Sequence, residues 1–135
     1  MRKALVIGGL GNIGYSVTKA LLQCGYDVTI LGRNRPAVIP FADVQMICAD
    51  RQDREGFRTV LQGGGYEYVV DLACFTAKDA EQDCEIFPQL RHLIVISSGA
   101  VYGALAGREI PIREDMQCRP QWRYGIHKKE MEEVL

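Results

Sequence analysis

The sequence has no long apolar run and almost no net charge. None of its hydrophobic stretches approaches the roughly 20 residues that cross a bilayer, and the 16 basic and 17 acidic residues leave a formal net charge of −1. Proteins that bind nucleic acid or a membrane surface through charge carry a clear basic excess. We therefore expect no nucleic-acid partner and no membrane partner, and we expect the protein to be cytoplasmic.

Histidine is scarce, and cysteine follows no metal-binding pattern. The chain has two histidines and five cysteines, and no two cysteines show the close spacing that is typical of zinc sites. The sequence therefore predicts no metal site. We expect the cysteines to be small buried apolar side chains in a reducing compartment; they are Cys24, Cys48, Cys74, Cys84 and Cys118.

Apolar segments of strand length alternate with helix-like segments along the 135 residues. Five apolar runs predict strands, in KALVIGG, DVTILG, VQMICAD, YEYVVDLAC and RHLIVISS. Strands that are apolar throughout, with helices between them, are typical of a parallel sheet covered on both faces. Right-handed crossovers then predict a doubly wound α/β fold with strand order 3-2-1-4-5.

Three of the predicted helices carry local signals in their sequence. Asp53 is a candidate N-cap for the second helix, and Gly25 can end the first. Apolar residues at helical spacing predict an inner face for the first and third helices; they are Ile13, Val17, Ala20, Leu21 and Cys24 in the first, and Ala77, Ala80, Cys84 and Phe87 in the third.

The first predicted strand runs directly into the segment GGLGNIG. Its glycines at positions 8, 11 and 14 allow a tight turn, close approach of the backbone to a pyrophosphate, and tight packing of helix on strand. The helix that follows offers unpaired N–H groups and the positive end of its dipole to an anion. The spacing alone is common, but its position between strand and helix predicts a dinucleotide-binding loop rather than a purely structural turn.

The end of the second strand indicates which dinucleotide is bound. NAD sites usually carry an acidic residue there for the ribose hydroxyls, but this chain has Gly32, followed by Arg33 and Arg35. Guanidinium groups suit a 2′-phosphate, so the sequence favours NADP over NAD, unless these arginines are only solvated loop residues. Asp50, after the third strand, is placed either to accept from the adenine amino group or to serve as a turn or cap residue.

Side chains that can carry chemistry follow the fifth strand. Ser97 and Ser98 stand at its end, where parallel sheets bind ligands, and Tyr124 and Lys128 are four residues apart in the last predicted helix. A free phenol has a pKa of about 10 and is a poor base at pH 7, but a nearby ammonium favours the phenolate. Such a tyrosine can take a proton from a substrate hydroxyl while a nicotinamide takes the hydride. The alternative is a surface tyrosine and a solvated lysine.

Taken together, these segments resemble the extended short-chain dehydrogenase/reductase superfamily, and most closely its NAD-dependent epimerase/dehydratase family. The resemblance lies in GGLGNIG, ADRQD, VVDLAC, SSGAVYG and YGIHK, in this order over nearly the whole chain. The chain departs from the family pattern at Ile7, where threonine is common, and at Asp71, where histidine or asparagine is usual. The resemblance implies that residues 1–135 form a Rossmann domain that is C-terminally incomplete, without the substrate-binding region.

The resemblance also implies roles for single residues. Ser98 matches the catalytic serine, with Ser97 as the weaker candidate. Tyr124 matches the catalytic acid/base, and Lys128 matches its partner, which also binds the nicotinamide ribose. The cofactor is expected to contact Gly8, Gly11, Asn12, Ile13, Gly14, Arg33, Asp50, Arg51, Leu72, Ala73, Tyr124 and Lys128.

The implied function is an NAD(P)-dependent epimerase, dehydratase or reductase that acts on a small-molecule nucleotide-sugar. Because family members hold the sugar-nucleotide largely with a C-terminal region, we expect the 135-residue chain to bind cofactor without turning over such a substrate. We also expect homo-oligomers, since some apolar side chains of the last segment lack an expected partner: Ile126, Met131, Val134 and Leu135. The competing hypothesis is a non-catalytic dinucleotide-binding module or an inactive truncated fragment.

Overall fold

The computed structural model describes residues 1–104 and 110–135. Its strands are β1 (Lys3–Ile7), β2 (Asp27–Gly32), β3 (Gln45–Cys48), β4 (Tyr68–Asp71) and β5 (His92–Val95). Its α-helices are α1 (Asn12–Gln23), α2 (Arg54–Leu61), α3 (Ala77–Ile86) and α4 (Arg123–Glu132), and a 3₁₀ helix spans Gly99–Tyr102. The alternation of strands and helices predicted from the sequence is confirmed.

The five strands form one parallel sheet in the order β3-β2-β1-β4-β5, which confirms the predicted topology. In the register, Ile7 lies between Leu31 and Asp71, and Asp71 pairs in turn with Val95. The carboxyl ends of these strands therefore lie side by side at one edge of the sheet, where doubly wound folds bind their ligands.

Apolar side chains cover both faces of the sheet because successive residues of β1 point in opposite directions. Leu5 and Ile7 belong to a core cluster that includes Phe57 and Leu61 of α2. Val6 belongs to a second cluster, against which the partly buried side chains of α1 pack. At the end of the strand order, β5 is less covered, and Ile94 is 52% exposed.

The inner face of α1 differs from the predicted one. Its buried or partly buried residues are Gly14, Val17, Thr18, Leu21 and Leu22, whereas Ile13, Ala20 and Cys24 are exposed. The reason is a backbone contact: Gly14 packs against Gly8 and Gly9, and Thr18 Oγ1 donates a hydrogen bond to the Gly9 carbonyl oxygen at 3.2 Å. These contacts set the rotation of the helix more strongly than its apolar side chains do.

The inner face of α3 and the state of the cysteines also differ from the predictions. Ala80 is buried, but Cys84 is exposed, and the other buried residues of α3 include Asp79, Gln82 and Asp83. These polar side chains are buried because they have hydrogen-bonding partners there, such as Arg54 for Gln82. Of the cysteines, Cys74 is buried, Cys118 is intermediate, and three are exposed: Cys24, Cys48 and Cys84.

The chain divides into two compact units, residues 1–73 with 82–96 and residues 74–81 with 97–135. The first contains the sheet with α1 and α2, and the second contains the 3₁₀ helix and α4. In the second unit, Met131 is 1% exposed, so its predicted lack of a partner is wrong, whereas Ile126 and Leu135 are exposed as expected. Among the described residues, no helix combines the length and apolar character needed to cross a membrane.

Candidate functional site

The loop after β1 packs so closely against the start of α1 that their contact leaves no room for side chains. Gly8 has a positive φ of 83°, and its carbonyl oxygen accepts a hydrogen bond from the Gly11 N–H at 2.9 Å. A Cβ added to Gly14 would lie 2.8 Å from the Cα of Gly9, and closer still to the Gly8 carbonyl oxygen. Helix α1 therefore begins directly against this loop, as the predicted dinucleotide-binding turn requires.

The first turn of α1 is open to a negatively charged ligand. Gly11 is the N-cap residue and has no side chain that could bond the free N–H groups. Gly11, Asn12 and Ile13 are exposed, and the first turn contains no acidic residue. The helix dipole and the unpaired N–H groups therefore both favour an anion at this position.

The last residue of β2 is Gly32, and close packing does not require a glycine there. A Cβ added to Gly32 would meet the Met46 Cε at 3.5 Å, which is an ordinary van der Waals contact. Arg33 and Arg35, which follow, are exposed. A Cβ would fit at position 32, so close packing at that atom does not require a glycine there.

The ends of β3 and β4 place three predicted cofactor residues in tight turns. Asp50 Oδ1 accepts a hydrogen bond from the Gln52 N–H at 2.9 Å, so Asp50 serves at least as a turn residue. The Leu72 N–H donates to the Ile7 carbonyl oxygen at 3.0 Å, and the Ala73 N–H donates to Asp71 Oδ1 at 2.7 Å.

Arg51 lies in a buried ion cluster. Its Nη2 pairs with Asp71 and lies 2.8 Å from Asp83 Oδ1, and its guanidinium carbon lies 5.0 Å from the centre of the Phe57 ring. Burial and the nearby Asp71 raise the pKa of Asp83 to about 9, although Arg51 opposes the shift. At neutral pH, Asp83 therefore keeps its proton. A contact between Arg51 and the cofactor stays a prediction.

In the second unit, the elements that carry Ser98 and Tyr124 are in direct contact. Ser98 is the N-cap of the 3₁₀ helix, and its Oγ accepts a hydrogen bond from the Ala100 N–H at 3.2 Å. A Cβ added to Gly125 would lie 3.0 Å from the carbonyl carbon of Ala100, and closer still to its oxygen. The first turn of α4, which begins beside Tyr124, therefore packs closely on the 3₁₀ helix.

Lys128 is buried and fixed, although a helix lysine is normally solvated. It is 2% exposed, its Nζ donates a hydrogen bond to the Cys74 carbonyl oxygen at 2.7 Å, and the same atom lies 5.1 Å from the centre of the Phe75 ring. Tyr124, one turn earlier, is 49% exposed. The alternative of a solvated lysine is wrong, and α4 presents an accessible phenol one turn before a buried ammonium.

Sequence reasoning missed several residues that shape these features. Gly125 is poorly suited to a helix interior, and this misfit was a usable signal for a close backbone contact. The Cys74 carbonyl and Phe75 gave no signal, because they lie far from Lys128 in sequence. Ser97 Oγ is buried without a hydrogen-bond partner among the described residues, whereas Ser98 has one.

Comparison with known proteins places the chain in a family. The model of the NAD dependent epimerase/dehydratase family matches residues 4–87. The chain is 28% identical over 134 residues to the 2'-dehydrokanamycin reductase of Streptomyces kanamyceticus, covering 98% of this chain and 37% of that protein. It is 32% identical over 148 residues to the UDP-glucose 4-epimerase of Corynebacterium glutamicum, covering 93% of this chain and 43% of that protein.

A solved structure shows the same fold. The dTDP-glucose 4,6-dehydratase of Bacillus anthracis, in complex with NAD, superposes with a TM-score of 0.79 at 17% identity, covering 99% of this chain and 49% of that one. The chain thus spans less than half the length of each of these proteins. The resemblance predicted from the five motifs is confirmed: the chain belongs to the NAD-dependent epimerase/dehydratase family, within the extended short-chain dehydrogenase/reductase superfamily.

Proposed function

We propose that the protein functions as an NAD(P)-dependent epimerase, dehydratase or reductase. In this proposal, hydride is exchanged with a nucleotide-sugar, and Tyr124 is the acid/base. The observation that carries the proposal is the arrangement on α4, where Lys128 is buried and held by the Cys74 carbonyl while Tyr124 stays accessible. Tyr124 precedes Lys128 by four residues, so the two side chains share one face of α4. Such a tyrosine exchanges a proton with the substrate oxygen as the nicotinamide exchanges a hydride.

Other residues hold the reactants in this proposal. Ser98 donates a hydrogen bond to the substrate oxygen, and Lys128 also binds the nicotinamide ribose. The glycine loop binds the pyrophosphate through the N–H groups of α1. The adenosine side is held by Arg33, Asp50, Arg51, Leu72 and Ala73.

The proposed cofactor preference is NADP over NAD. Gly32 leaves no carboxylate to repel a 2′-phosphate, and the exposed Arg33 supplies a guanidinium beside it. The family is NAD-dependent as a whole, and the dehydratase structure contains NAD. The preference is therefore a proposal about this chain, supported by its own residues.

The proposed activity is tested with a small substrate that needs few specific contacts with the protein. A small reactive diketone is mixed with NADPH and the protein, and loss of nicotinamide absorbance is followed. Hydride moves from the nicotinamide to one carbonyl carbon, and Tyr124 gives the proton to its oxygen, which yields a hydroxyketone and NADP⁺. We expect slow reduction by the unmodified chain and none by Tyr124→Phe, with NADPH affinity unchanged between the two.

The same assay with UDP-, GDP- and dTDP-sugars asks which substrate class is accepted. The sequence-based expectation is that the 135-residue chain binds cofactor without turning over these sugar-nucleotides. Equal rates for Tyr124→Phe and the unmodified protein would remove Tyr124 from the chemistry. NADPH binding without hydride transfer to either the diketone or the sugar-nucleotides would favour the non-catalytic dinucleotide-binding module.

A further inference from the structure

In one buried cluster of charges, Asp71 and Asp83 have no role in the proposed hydride transfer. Arg51, Asp71 and Asp83 are 8%, 0% and 0% exposed. Arg51, after β3, pairs with Asp71 at the end of β4 and donates a hydrogen bond to Asp83 on α3, above the ring of Phe57. The cluster thus ties two strand ends to a helix.

Stability alone is a weak reason for such a cluster. Removing charged groups from water costs free energy, and replacing a buried ion pair by well-packed apolar side chains is often neutral or stabilising. The burial of these three charged residues therefore needs a second explanation, which the part of the chain that the cluster holds in place can supply.

Asp71 joins the cluster to the loops that are proposed to bind the cofactor. Its Oδ1 accepts a hydrogen bond from the Ala73 N–H at 2.7 Å, which fixes the turn that contains Leu72. The Leu72 N–H is bonded to the Ile7 carbonyl oxygen. Leu72 Cβ also lies 3.4 Å from the place that a Cβ on Gly8 would occupy. This turn therefore borders the first glycine of the dinucleotide-binding loop.

We propose that Asp71 is a positioning residue for dinucleotide binding: Arg51 and Asp83 hold its carboxylate, and the carboxylate holds the Leu72–Ala73 turn beside the glycine loop. The inference rests on the proposed function, since it assumes that this loop binds a dinucleotide. Asp71 acts through the turn and need not touch the ligand.

The two carboxyl groups of the cluster have different roles. Burial and the nearby Asp71 raise the pKa of Asp83 to about 9, which favours the neutral acid at pH 7, whereas Asp71 pairs with Arg51 and also accepts the hydrogen bond from Ala73. Asparagine has nearly the shape of a neutral aspartic acid and also offers a donor. Asp83→Asn therefore preserves the cluster, whereas Asp71→Asn removes the negative charge from it.

The experiment uses this matched pair of substitutions. NADPH affinity is measured by calorimetry at pH 7, well below the melting temperature of each variant, and melting temperatures are measured in parallel. We expect Asp83→Asn to bind within about twofold of the unmodified protein. We expect Asp71→Asn to bind roughly 10- to 100-fold more weakly, because asparagine has one acceptor oxygen for the Ala73 N–H and loses the charge-assisted bond from Arg51.

A double variant, Arg51→Met with Asp71→Asn, separates positioning from stability. It leaves no unpaired buried charge, so its melting temperature should recover toward that of the unmodified protein, while its NADPH affinity stays low. If Asp71→Asn alone does not fold, NADPH affinity is measured on this double variant instead. Recovery of affinity together with stability would overturn the inference, and so would unchanged affinity in Asp71→Asn. Failure of the unmodified protein to bind any pyridine dinucleotide would instead overturn the proposed function.

Discussion

Replacing Gly11 by aspartate should raise the stability of the protein and abolish its cofactor binding. Gly11 has φ −70° and ψ 175° at the N-cap of α1, a backbone conformation that any residue adopts. A Cβ there would lie 3.3 Å from the Gly8 carbonyl oxygen, a tight contact that requires this oxygen to move by a few tenths of an ångström. The backbone conformation thus accepts aspartate, and the expected gain in stability requires that the Gly8 oxygen moves by this amount.

Stability and cofactor binding should change in opposite directions because the carboxylate introduced by Gly11→Asp would occupy the position at which the helix N-terminus is proposed to bind the pyrophosphate. As an N-cap, aspartate is better than glycine by a few tenths of a kcal/mol, and its charge at the positive end of the helix adds about 0.3–1 kcal/mol. Toward a bound pyrophosphate, the same charge at ~4 Å and an effective dielectric constant of about 20 is repulsive by about 4 kcal/mol. This repulsion corresponds to roughly 1,000-fold weaker binding.

Gly11→Asn is the matched control, since it caps the helix and has the same shape without the charge. Dinucleotide affinity is measured by calorimetry at fixed salt concentration, and stability by thermal unfolding. We expect affinity to fall in the order unmodified protein, Gly11→Asn, Gly11→Asp, with neither variant melting below the unmodified protein. Equal losses in the two variants would mean that crowding and not charge is responsible. Unchanged affinity in Gly11→Asp would refute the site.

Three further predictions follow from other parts of the molecule. Arg33→Ala should weaken NADPH binding by ~1–3 kcal/mol and leave NADH binding nearly unchanged; tighter binding of NADH than of NADPH by the unmodified protein would contradict this. Because the pKa of Asp83 rises from 3.8 to about 9 on folding, its contribution to the free energy of unfolding is complete below pH ~4 and is lost as the pH rises to ~9. Asp83→Asn should flatten this decline in urea titrations, and a parallel pH curve would contradict the assignment. Gly125→Ala should destabilise the packing of α4 on Ala100 by ~1–3 kcal/mol, and an unchanged melting temperature would count against that contact.

The strand order and the glycine loop could be predicted because both depend on local sequence. Buried strands in a parallel sheet are apolar throughout, so β1, β2 and β4 are visible as runs of apolar residues. The loop is recognisable because its glycines must occupy fixed positions between a strand and a helix.

The helix faces could not be predicted because contacts between distant residues decide them. The rotation of α1 depends on the approach of Gly14 to Gly8, and the buried face of α3 depends on Arg51 and Arg54 from another part of the chain. The fixed position of Lys128 depends on a carbonyl group 54 residues away. A backbone carbonyl is present at every position, so sequence gives no sign of which one a lysine will meet.

The most direct test of dinucleotide binding by the glycine loop is an NMR titration of the ¹⁵N-labelled chain with NADPH and, separately, NADH. We predict that the backbone amide signals of Gly11, Asn12, Ile13 and Gly14 shift most and saturate at one equivalent, with tighter binding of NADPH. Saturating shifts confined to other residues, or no shifts with either dinucleotide, would contradict this prediction.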